Sequence, residues 1–61
     1  MNITKETVGY TVVVEHKSGG ALGTWVPTMT LALKHIRKTF DKDHTYARII
    51  KTSYKDRIRL K

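Results

Sequence analysis

Cysteine is absent from this chain. That excludes a disulfide framework, a cysteine-based zinc site and a thiol nucleophile, and it fits a reducing compartment. Long apolar runs are absent too, which leaves no candidate transmembrane helix and no secretory h-region. The start, Met1-Asn2-Ile3-Thr4-Lys5-Glu6, is polar and reads as a cytosolic terminus, so a cytoplasmic location is expected. Acidic residues are scarce: five Asp and Glu stand against twelve Lys and Arg, for a formal net charge of +7. There are no repeats, no low-complexity segments and no linker.

What is present fits one small basic domain spanning residues 1–61, with residues 1–6 as a frayed start. A chain this short buries only about 60% of the surface its unfolded form exposes, so its stability margin is thin. The charge is segregated. Residues 1–33 hold Lys5 and Lys17 against Glu6 and Glu15, which cancel. Lys34, Arg37, Lys38, Lys42, Arg48, Lys51, Lys55, Arg57, Arg59 and Lys61 all follow, against Asp41, Asp43 and Asp56. Solubility explains a net positive charge. It does not explain why the excess lies wholly in the second half.

The apolar pattern places the elements. Residues 7–16 alternate as a strand, with Val8, Tyr10, Val12 and Val14 on one face. Lys17-Ser18-Gly19-Gly20 reads as a turn, and residues 21–26 as a short second strand in which Gly23 is a candidate bulge. A four-residue turn sets Trp25 opposite Val12 on the core face and Val26 opposite Thr11. Pro27 ends that strand. Thr28 then caps a helix from Met29 to about Phe40, whose apolar stripe is Met29, Ala32, Leu33, Ile36 and Phe40. Lys34, Arg37 and Lys38 lie opposite the stripe, with Leu31 among them.

After the loop Asp41-Lys42-Asp43-His44, residues 45–52 and 55–61 read as a second hairpin turned at Ser53-Tyr54. That register pairs Ile49 with Ile58 and Ala47 with Leu60 toward the core. It sets Arg48 beside Arg59, Ile50 beside Arg57 and Tyr46 beside Lys61 on the other face. The expected fold is therefore α+β: a ββαββ domain with an antiparallel-rich sheet and one amphipathic helix packed on one face.

Chemistry-bearing patterns are few. Ser18, Gly19, Gly20 and Gly23 lack the strand, spacing and helix start of a phosphate-binding loop. Asp41, Asp43 and His44 lack the later Gly and the bidentate Glu of a calcium loop. His16, His35 and His44 lie on separate elements. Ser18 and Ser53 sit in turns with no evident base. Neither an enzyme nor a metal or cofactor is expected.

The informative feature is the last segment. As a strand it would stand Lys55, Arg57, Arg59 and Lys61 in a row on an open sheet face, beside Tyr46 and Arg48. Arg forks match phosphates and aromatic rings stack on bases. This points to a non-enzymatic module binding the phosphate backbone of DNA or RNA with little sequence preference. A secondary contact set is Leu31, Lys34, Arg37 and Lys38. The alternative is a protein-interaction module, an inhibitor or adaptor, docking its basic surface on an acidic partner protein. Cations on a terminal strand also serve simply to protect an edge. A homodimer through a strand edge, or through Val13 and Ile50, is compatible with either reading. Size, basic end and lack of catalytic residues resemble those of short accessory proteins of phages and mobile elements, a likeness of composition with no motif behind it.

Overall fold

A computed structural model describes the backbone of residues 2–60 and the side chains of residues 2–57. The elements are β1 (Val8–His16), β2 (Ala21–Val26), α1 (Met29–Thr39), β3 (His44–Ser53) and a 3-10 helix (Tyr54–Leu60). β1 is the middle strand of an antiparallel sheet ordered β2-β1-β3. The α+β class and the single helix on one sheet face agree with the sequence reading. The fourth strand does not form.

β1 is central because it is the most apolar strand, and it is buried on both sides. Val12 and Val14 point to the helix and pack with Ala32, joined by Tyr10, Val26, Ile36, Ala47 and Ile49. Val13 points the other way and is also buried. The turn after β1 closes with His16 N–H donating to the Gly20 carbonyl at 2.7 Å. Gly19 takes φ 103°, a conformation other residues rarely adopt, so the glycine there has a local cause.

The β1–β2 register is shifted by one residue from that expected, and the consequence is large. Trp25 pairs with Thr11, and Thr24 with Val12. A one-residue slip moves every side chain of a strand to the opposite face. Trp25 therefore lies on the face away from α1, not in the core beneath the helix. Its ring lies over Gly9, where a Cβ would collide with the indole and with the Val26 carbonyl. The indole N–H then reaches across β1 to donate to the Thr52 carbonyl at 2.9 Å.

α1 starts as expected, with the Thr28 hydroxyl accepting from Leu31 N–H at 3.2 Å. It ends with Phe40 N–H donating to the Ile36 carbonyl. Only Ala32 is fully buried and Ile36 partly so, while Met29, Leu33 and Phe40 remain substantially exposed. The buried stripe is thus narrower than the sequence pattern, because three strands cannot cover a five-residue stripe. Phe40 instead stacks near the His44 ring, 5.8 Å between centroids.

Residues 54–60 turn away from the sheet plane as a 3-10 helix. Ser53 donates to the Asp56 carboxylate at 2.8 Å, and Tyr54 N–H donates to the Thr7 carbonyl at 2.8 Å. Tyr54 meets Trp25 edge to face, with ring centroids 4.9 Å apart. The 3-10 helix touches all three strands, on the face that Trp25 occupies. The face expected to be open is thus partly covered. Among the described residues, no helix is long and apolar enough to cross a membrane.

Candidate functional site

Three groups of cations follow from this architecture. The first is on β3. Tyr46, Arg48 and Ile50 alternate onto the face away from α1, opposite Glu15, Val13 and Thr11 of β1. Tyr46 is 51% exposed, Arg48 is exposed and Ile50 is half-buried. β-branched and aromatic neighbours keep this part of β3 extended, so Tyr46 and Arg48 project side by side.

The second group is in the 3-10 helix. Three residues per turn carry successive side chains around the axis rather than to alternate faces. Lys55 is exposed. Arg57 folds back onto its own segment, its guanidinium 3.7 Å from the Tyr54 ring centroid and donating to the Tyr54 carbonyl at 2.6 Å. The four-cation row expected of a strand is therefore not formed. The pairings of Ile49 with Ile58, Ala47 with Leu60, Arg48 with Arg59 and Ile50 with Arg57 are absent for the same reason. The side chain of Arg59, and Lys61 with its pairing to Tyr46, lie outside the described residues. A Ser-x-x-Asp spacing at Ser53 and Asp56 is a helix-start signature, and it was the sequence signal for this change.

The third group is on the outer side of α1. Lys34, Arg37 and Lys38 are exposed, with Leu31 and Leu33 among them at 42% and 49% exposure. Two shallow grooves flank Lys34. One, about 300 Å³, is lined by Thr30, Leu33, Lys34 and Arg37. The other, about 220 Å³, is lined by Val26, Leu31, Lys34, His35 and Lys38. Leu33 belongs to this surface, although its spacing had put it in the core stripe. Lys51 was also missed: it stands exposed on β3, on the opposite face from Arg48.

The electrostatics of the second half are one-sided. Its acids are all engaged. The Asp43 backbone N–H, and then the His44 ring at 2.8 Å, hold the Asp41 carboxyl below the ordinary carboxylate range. Asp43 pairs with Lys17 at 3.3 Å. Asp56 accepts from Ser53. By contrast Lys34, Arg37, Lys38, Lys42, Arg48, Lys51 and Lys55 make no ion pair or side-chain hydrogen bond among the described residues. The loop acids thus tie the β1 end to β3, and little negative charge is left to offset the cations.

No protein-family model, curated protein or solved structure matches the chain.

Proposed function

We propose that this chain is a non-enzymatic module that binds the phosphate backbone of nucleic acid with little sequence preference. The observation that carries the reading is the imbalance just described: cations without partners beside acids that are locally consumed. A polyanion supplies the missing counter-charge, and each phosphate it brings releases condensed counterions. Tyr46 and Arg48 present a ring and a guanidinium together, a pairing suited to a base and its phosphate. Lys55 adds a point charge from the neighbouring segment, and Arg57, Arg59 and Lys61 extend the basic end. Lys34, Arg37 and Lys38 form the secondary contact. Such contacts position a protein without reading sequence. The absence of cysteine supports a cytoplasmic setting, and the size and basic end support a phage-type accessory role.

The test is binding to labelled single strand and duplex across a salt series. If roughly five phosphates are neutralised, log K falls against log salt with a slope of about −4 to −5. A slope near zero sinks the reading. One observation favours a second reading, an inhibitor or adaptor on an acidic partner protein: Leu31 and Leu33 stand exposed among the helix cations and would serve as apolar anchors. Retention of one stoichiometric protein from nuclease-treated lysate, together with loss of nucleic-acid binding in the salt series, selects it.

A further inference from the structure

The replacement of the fourth strand by a 3-10 helix leaves β3 as a terminal strand of ten residues. Its hydrogen-bonding direction can be read from one bond. Tyr54 N–H donates to the Thr7 carbonyl, one step beyond the Val8–Ser53 pair and in the same register. In an antiparallel pair, bonded and non-bonded positions alternate. Thr52, Ile50 and Arg48 therefore face β1 with their backbone groups, and Ala47, Ile49, Lys51 and Ser53 turn theirs outward. No backbone bond outside the sheet ladders and the 3-10 helix involves these four residues among those described. β3 contains no proline, and its one irregularity lies at the far end, near Glu15 and His16. It is a long edge whose guarding charges are the exposed Arg48 and Lys51, and a partner strand must seat both opposite apolar residues.

We propose that two copies of this chain pair through their β3 edges, antiparallel about a two-fold axis at Ile49, into a six-stranded sheet. The register follows from side chains. Pairing about Arg48 sets Arg48 against itself, which is unfavourable. Pairing about Ile49 sets Arg48 opposite Ile50 of the second copy and Lys51 opposite Ala47. It also brings the two Ile49 side chains together on the helix face, where each is a half-buried neighbour of the core. That extends a core whose buried apolar residues, among those described, are Val12, Val13, Val14 and Ala32. The pairing is isologous and closes on itself, whereas joining β2 to β3 would propagate without end.

The pairing stands independently of the nucleic-acid reading. If that reading also holds, both copies contribute Tyr46 and Arg48 to one continuous face. The two associations respond oppositely to salt. Each copy carries +7, so screening strengthens the dimer while it weakens phosphate binding.

The experiment is sedimentation of the intact chain over a concentration series, with amide hydrogen exchange followed by NMR at both ends, in the absence of nucleic acid. The expected result is a species of twice the 7.0 kDa chain mass, more populated as salt rises. The amides of Ala47, Ile49 and Lys51 should exchange fast when dilute and slow when concentrated, while those of Arg48 and Ile50 are protected in both. A synthetic chain N-methylated at Ile49 keeps every side chain and the bonds to β1, and should remain monomeric with an unchanged circular dichroism spectrum. A single-chain mass at all concentrations overturns the proposal. So does a dimer in which the Ala47, Ile49 and Lys51 amides stay unprotected.

Discussion

The two halves of this chain divide the labour of folding and of charge. Among the described residues, every buried apolar side chain (Val12, Val13, Val14 and Ala32) comes from the first 33 residues, which carry no net charge. Every unpartnered cation named above comes from the second half, whose β3 contributes half-buried Ala47 and Ile49 to the rim of the core. The difference teaches that the basic residues are not what holds the fold together. Substitutions in the first half should therefore change stability and leave the surface chemistry alone, and substitutions at exposed cations should do the reverse.

The strongest test of that division is Gly9→Ala. Its Cβ meets both the Trp25 ring and the Val26 carbonyl, and the latter cannot rotate aside. A loss of about 3 kcal/mol or more is expected, enough to unfold a domain with so small a core. Far-UV circular dichroism reads this directly, and a folded Gly9→Ala chain would break the assigned position of Trp25. Next is Val12→Ala, which removes buried atoms beneath α1. It should lower stability by about 2 kcal/mol in urea unfolding. Trp25→Phe deletes the indole bond to Thr52 and should cost about 1 kcal/mol.

On the other side of the comparison, the double substitution Arg48→Glu with Lys55→Glu should stay within about 0.5 kcal/mol of the parent in stability. The same variant should weaken nucleic-acid binding and reduce the steepness of its salt slope by about 2. Destabilisation by this pair beyond that range would mean that charge does serve the fold. The smallest effect concerns Asp41. Its folded pKa lies below the unfolded value, so its contribution is present above about pH 4 and is lost as pH falls through the folded pKa. Asp41→Asn should therefore destabilise slightly at neutral pH and not at all in strong acid, as urea unfolding at the two pH values will report.

Much of the fold was legible because periodicity is a strong signal where one face is dry. The alternation around Val12 and Val14 defined β1, and Thr28 with the Ala32–Ile36 spacing defined α1. What misled was local geometry. The hairpin turn differs from expectation by one residue, which is invisible to composition, and that residue carried Trp25 to the other face. A glycine inside a β-branched strand, Gly9, marked the close approach that makes room for the indole. Ile58 and Leu60 alternate as a strand would, yet Ser53 and Asp56 together start a helical turn and end the sheet before them. The cations of the candidate site were legible one by one. Their arrangement was not, because it depends on whether residues 54–60 continue in the sheet plane or leave it.

The most direct measurement is fluorescence anisotropy of labelled single strand and duplex titrated with the purified chain, at low and at near-physiological salt. Binding that persists near physiological salt, with a slope of about −4 to −5, is the result predicted by phosphate capture at the unpartnered cations. No binding, or a slope near zero, contradicts it.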